Sequence, residues 1–133
     1  MNHKNSFIFI GAGGHAKVLL SVIQSMKSEL LLVFDSNSSI KKFYDVENIV
    51  VYDPLLFPEI KVLIAIGNNL IRMRKSNDIL HSFGIAIDSS ALVDNLIDIK
   101  EGSQVMPRAI INRGTQIGKH TIINTNATNL TEK

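Results

Sequence analysis

The sequence contains no cysteine and no tryptophan. The absence of thiols excludes a disulfide framework, a thiolate zinc site and a cysteine nucleophile, and it fits a reducing compartment. Proline is limited to three residues and aromatics to 6%, yet 45% of the chain is hydrophobic and 20% charged. That balance excludes a disordered or collagen-like polymer. Neither sign of charge dominates: 14 Lys and Arg face 12 Asp and Glu, for a net charge of +2. Without a basic stripe, nucleic acid is not an expected partner. Long apolar runs are missing too. Those at 7–10, 30–34 and 62–66 fall far below the ~20 residues of a membrane span, so no membrane partner is expected. The first is interrupted by Gly13, Gly14, His15 and Lys17, where a secretory signal would stay apolar, and the expected location is cytoplasmic. A chain of 133 residues can form one domain or two small ones and bury roughly two thirds of its unfolded surface.

What is present alternates between β-rich runs and amphipathic stretches, the pattern of a parallel sheet covered by helices. The run at 7–10 reads as a first strand. Ala16, Leu19, Leu20, Ile23 and Met26 then recur at helical spacing, and the run at 30–34 is a second strand. Val50 and Val51 suggest a weak third strand, followed by an irregular stretch at 54–58. The run at 62–66 is a strong fourth strand closed by Gly67. Asn68 or Asn69 can cap a second helix, with Met73, Ile79, Leu80 and Phe83 facing inward and Arg72, Arg74 and Lys75 on a solvated side.

From residue 87 the period changes. Ile87, Val93, Ile99, Val105, Ile111, Ile117 and Ile123 recur every six residues. A second, mostly small series (Ile85, Ala91, Ile97, Ser103, Ala109, Thr115, Thr121, Ala127) runs two positions ahead. A six-residue period matches neither a helix nor a hairpin, but suits short strands that turn a corner after each repeat and stack their aliphatics inside a β-helix. Gly102, Gly114 and Gly118 are the expected corner residues.

Gly11-Ala12-Gly13-Gly14-His15-Ala16 follows the first strand and opens a helix, and Asp35 ends the second strand. Glycines there let the backbone approach a phosphate, the helix start offers free N–H groups, and an acidic residue about 20 positions on can bind a ribose. The chemistry is nucleotide-diphosphate binding, although the same glycines also serve a plain tight turn. A dinucleotide needs two mononucleotide halves, and only one precedes the repeats, which argues against NAD. No histidine has a second ligand at metal-binding spacing, so no metal is expected. His3 lies at the terminus. His81 reads as a helix-end dipole contact and His120 as an exposed corner, whereas His15, beside the glycines, can donate to a phosphate or sugar hydroxyl.

Together, Gly-Ala-Gly-Gly-His-Ala-Lys after the first strand, Asp35-Ser36, Ala65-Ile66-Gly67-Asn68-Asn69 before Ile71-Arg72, and Ile122-Ile123-Asn124-Thr125 in a hexapeptide array resemble the sugar-nucleotide or sialic-acid acyltransferase family of NeuD and PglD type. The resemblance implies an α/β Rossmann-like N-terminal domain at 1–87 that holds a nucleotide sugar. It also implies the first coils of a left-handed parallel β-helix at 88–127 and a divergent tail at 128–133. It implies a homo-oligomer, a trimer in the family, with acetyl-CoA as co-substrate. It assigns substrate contacts to Gly13, Gly14, His15, Asp35, Ser36 and Gly67.

The family's general base is a His followed by an acidic residue. The corresponding positions here are Thr131 and Glu132, and a threonine hydroxyl does not ionise near neutral pH. The later coils that form the family's acetyl-CoA site are also missing from the sequence. The expected function is therefore that of an acetyl-CoA-dependent acetyltransferase-family protein, acting on a nucleotide-linked amino sugar or sialic acid in surface-glycan biosynthesis, shortened and weakly active or inactive. A non-catalytic nucleotide-sugar-binding or scaffold protein and a Rossmann NAD-binding oxidoreductase are the alternatives.

Overall fold

The computed structural model describes residues 5–129. Its first part contains β1 (Ser6–Ile10), α1 (Gly14–Ser25), β2 (Glu29–Phe34), β3 (Lys42–Phe43), β4 (Val46–Ile49), β5 (Lys61–Ile64) and α2 (Asn69–Ser76). The sheet runs in the order β3-β4-β2-β1-β5, parallel except for β3 against β4. Strand β1 lies between β2 and β5, and every one of its residues is buried. Phe7 and Phe9 pack on Ala16, Leu19, Val22 and Ile23 of α1. Ile8 and Ile10 pack on the opposite layer with Leu32, Phe34, Val62 and Ile64. Burial on both faces is the reason β1 reads as an unbroken apolar run.

Helix α1 stops at a Schellman motif, in which the N–H of Ser28 donates to the Ile23 carbonyl at 2.9 Å and that of Lys27 to the Gln24 carbonyl at 3.0 Å. Lys27 takes the left-handed position usually given to glycine, at φ 63°. Asn68 caps α2, its Oδ1 accepting from the Ile71 N–H at 2.9 Å.

Two expectations about this part are corrected. The third strand is not at Val50 and Val51, which are exposed, but at β4, beside β2. The four residues of β4 include the polar Glu47 and Asn48, which hide it from a search for apolar runs. The second correction concerns three residues at α2: Arg72 is its buried residue, while Met73 and Leu80 are exposed; Arg74 and Lys75 are exposed and Ile79 and Phe83 pack inward, as expected. Helix α2 ends at Ser76, so Ile79, Leu80 and Phe83 lie beyond it.

The second part consists of six two-residue strands: β6 (Ala86–Ile87), β7 (Leu92–Val93), β8 (Gln104–Val105), β9 (Ile110–Ile111), β10 (Ile122–Ile123) and β11 (Thr128–Asn129). They form two parallel ladders, β10-β8-β6 and β11-β9-β7, and a bridge joins Ile99 to Ile117. Every pairing joins residues 18 apart, three of the six-residue repeats. Val105, Ile111, Ile117 and Ile123 fill the space between the ladders, with Ile87, Val93 and Ile99 against them.

The same period marks the backbone. Gly102, Arg108, Gly114, His120 and Asn126, six residues apart, all have positive φ. Gly118 does not, and a Cβ there would meet only Thr121 Oγ1 at 3.8 Å. The corner role expected of Gly118 thus belongs to His120 and other non-glycine residues. The two parts share packing, since Ala86, Met106 and Ile122 lie against the α1 layer.

Candidate functional site

The carboxyl ends of β1, β2 and β5 converge where the chain crosses from one side of β1 to the other, the place where open parallel sheets bind ligands. Gly11 joins them. Its N–H donates to the Phe34 carbonyl at 2.8 Å, its φ is +106°, and a Cβ would lie 3.0 Å from the Ala65 carbonyl oxygen. Only glycine satisfies both the backbone and the contact. Asp35 braces the next residue: its Oδ2 accepts from the Ala12 N–H at 2.8 Å and its Oδ1 from the Asn37 N–H at 2.9 Å. The carboxylate read as a ligand contact therefore also holds the turn.

Gly13 is the N-cap of α1 and supplies no side-chain bond, and the first turn carries no acidic residue. A Cβ at Gly13 or Gly14 would meet nothing within 4 Å. The helix start, with its unpaired N–H groups and positive dipole end, faces open space. Ser36 is exposed beside Asp35. Gly67 closes the far side, where an added Cβ would stand 3.7 Å from His15 Cβ. Gly13, Asp35, Ser36 and Gly67 thus lie on the loops at this end of the sheet, with Gly14 and His15 in the first turn of α1. His15 Nε2 lies 2.7 Å from Gln104 Oε1 on β8, a partner that sequence reading does not supply.

Behind the Gly67 loop lies Arg72, 3% exposed. Its Nη1 donates to the Ile66 and Gly67 carbonyls at 3.0 and 3.1 Å, its Nη2 to Asn69 Oδ1 at 2.6 Å, and its Nε to the His120 carbonyl at 2.9 Å. Burial draws its pKa below the ordinary arginine value. Its partners are neutral oxygens, so this side chain is a clamp between the β5–α2 loop and the corner at His120.

The histidine expectations are corrected as well. His81 is buried and lies past the end of α2; its Nδ1 meets the Tyr52 hydroxyl at 2.6 Å and its Nε2 the carbonyls of Leu56 and Phe57. It ties the loop before β5 to the strand's edge and makes no helix-end dipole contact. His120 is not an exposed corner. It is buried, edge-on to Phe83 with ring centroids 4.4 Å apart, and its Nδ1 has no hydrogen-bond partner among the described residues.

Burial lowers the His120 pKa; nearby Glu101 opposes this, while Arg72 and Lys119 reinforce it. The unfolded chain, titrating near the usual ~6.5, binds a proton that the folded chain refuses. Stability is therefore full above about pH 6.5 and falls as the pH drops through the lower folded value. Urea denaturation at pH 7.5 and pH 5 should show this loss, and His120→Phe should reduce it; an identical loss in that variant would refute the assignment.

Among the described residues no group of three or more His, Cys, Asp and Glu is placed to hold a metal ion, and no helix is long and apolar enough to cross a membrane. Thr131, Glu132 and His3 lie outside the described residues.

Residues 6–79 match the family model described as the PglD N-terminal domain. No curated protein sequence matches the chain. Among solved structures, the acetyltransferase domain of PglB from Neisseria gonorrhoeae is similar, with a TM-score of 0.83 and 25% identity over 94% of this chain and 64% of that one. The same domain in complex with acetyl coenzyme A gives 0.81 and 26%, over 93% and 63%. A mutant of perosamine N-acetyltransferase from Caulobacter crescentus, in complex with CoA and GDP-perosamine, gives 0.78 and 32%, over 92% and 61%. The chain therefore spans less than two thirds of the length of these proteins.

Proposed function

The chain belongs to the PglD N-terminal domain family, and on that premise we propose that it binds a nucleotide-linked amino sugar at the loops following β1, β2 and β5. The observation that carries this reading is the open face of Gly13 and Gly14 at the start of α1. Free N–H groups and a positive helix end suit a phosphate there. Asp35 and Ser36 would meet the nucleoside side, and His15 with Gly67 would meet the sugar. The similarity to a structure holding GDP-perosamine supports the same ligand class. We assign this role to a Rossmann-like domain that ends before β6, and read β6 to β11, whose pairings join residues 18 apart, as coils of a β-helix that is left-handed on the family reading; the repeats then run past the expected 88–127 at both ends. Trimerisation through that part and acetyl-CoA as co-substrate follow from the family reading.

The chemistry is acetyl transfer from the thioester to the sugar's amine, which requires a base to take the amine's proton. By the resemblance in sequence, the position of that base corresponds to Thr131, whose hydroxyl is no base at neutral pH. This favours a second reading, in which the chain retains nucleotide-sugar recognition without catalysis.

Titration calorimetry with nucleotide-linked amino sugars and with NAD tests the proposal. The expected result is tighter binding of a nucleotide sugar, weakened at least ~tenfold by Gly13→Val, which places a branched side chain against the phosphate. Tighter binding of NAD, or a Gly13→Val protein that binds undiminished, would sink it. With acetyl-CoA added, thiol release is expected near background, because base assistance worth about 10²–10⁴-fold is lost.

A further inference from the structure

We propose that Gln104 is a positioning residue of this site: it fixes His15 in the Nε2–H tautomer, so that Nδ1 presents a lone pair to a hydroxyl or amino donor of the ligand. The inference rests on the reading that His15 touches the nucleotide sugar. Gln104 is fully buried on β8. Its amide nitrogen donates to the Ile64 carbonyl at the end of β5, 2.8 Å away. A carbonyl only accepts, so the orientation of the amide is settled by this bond. The amide oxygen then faces His15 Nε2 at 2.7 Å. That oxygen also only accepts, so Nε2 must carry the hydrogen, and in a neutral imidazole the other nitrogen is then bare.

The His15 side chain is half-buried, and its hydrogen bond to the fold runs through Nε2, so Nδ1 is the nitrogen left for a ligand. A phosphate oxygen offers no proton to such a nitrogen. The phosphate is therefore left to the N–H groups of α1, while His15 reads a donor on the sugar. A fixed tautomer costs no rearrangement when the ligand arrives, which is the advantage of a preorganised contact. The residue that sets it lies 89 positions along the chain, so the first part of the fold depends on the ladders for a complete site.

Long-range proton–nitrogen correlation spectra of the ¹⁵N-labelled full chain, at about pH 8.5 where imidazoles are neutral, read the tautomer directly. His15→Asn identifies the signal. The wild-type ring should be a single Nε2–H form. Gln104→Met keeps the bulk without the amide and should give a mixture of tautomers, with nucleotide-sugar affinity about tenfold lower. Gln104→Glu keeps an acceptor toward Nε2 and should retain the single form.

A wild-type ring that is mixed or protonated on Nδ1 overturns the proposal, even if the variants fail to fold. So does a folded Gln104→Met protein with unchanged spectrum and affinity. Nucleotide-sugar binding with a mixed ring would sink the Gln104 assignment alone. A fixed ring with no nucleotide-sugar binding would sink the functional reading and, with it, the role of Gln104 in that site.

Discussion

Arg72→Ala is expected to destabilise the fold by roughly 3–5 kcal/mol, a large share of the 5–15 kcal/mol typical of a domain. The guanidinium reaches four acceptors, three of them main-chain carbonyls at Ile66, Gly67 and His120. Bonds to a charged group are worth more than neutral ones, and the carbonyls left behind lie too deep for water to replace all of them. Alanine also leaves a cavity where a 3% exposed side chain stood. Arg72→Lys should recover only part of the loss, because one ammonium cannot span the fork of acceptors. Ligand binding should weaken together with stability, since Arg72 holds the Gly67 carbonyl and Gly67 faces His15. Urea denaturation measures the first effect; a loss below about 1 kcal/mol would show that the clamp is dispensable.

Gly102→Ala is the second large effect, at least about 3 kcal/mol. Part is backbone strain: Gly102 has φ +80°, and a side chain in the left-handed region costs roughly 1–2 kcal/mol. The rest is collision, since the new Cβ would overlap the His120 ring, well inside the distance at which non-bonded atoms meet. The ring has little room to retreat, with Phe83 edge-on against it and its own carbonyl held by Arg72. A double-mutant cycle separates the terms: in a His120→Ala background, Gly102→Ala should cost only the strain. Additive losses would rule out the collision. Gly118→Ala, whose Cβ would meet only Thr121 Oγ1 at 3.8 Å, should be close to neutral.

The sequence by itself determined β1, α1, β2 and β5, the Gly-rich turn at the head of α1, and the six-residue phase after residue 87. These features are legible because they are local. A strand buried on both faces must be apolar throughout, a helix over a sheet must repeat its apolar residues every three to four positions, and a turned ladder must repeat every six. The family resemblance was legible for the same reason, being carried by short motifs.

What only the tertiary structure decided is where the polar groups went. Arg72 sits between Arg74 and Ile71 in a segment that looks solvated, and it is buried because the His120 carbonyl, 48 residues on, needs a donor. His120 occupies a positive-φ corner and turns inward because Gly102 leaves room for its ring. β4 forms from a half-polar stretch because β2 offers an unpaired edge. His15 gains its partner only when β8 comes alongside. Hydrophobic burial leaves a period in the sequence, whereas a buried hydrogen bond is satisfied by whichever group the fold brings within about 3 Å, and no local pattern records which group that is.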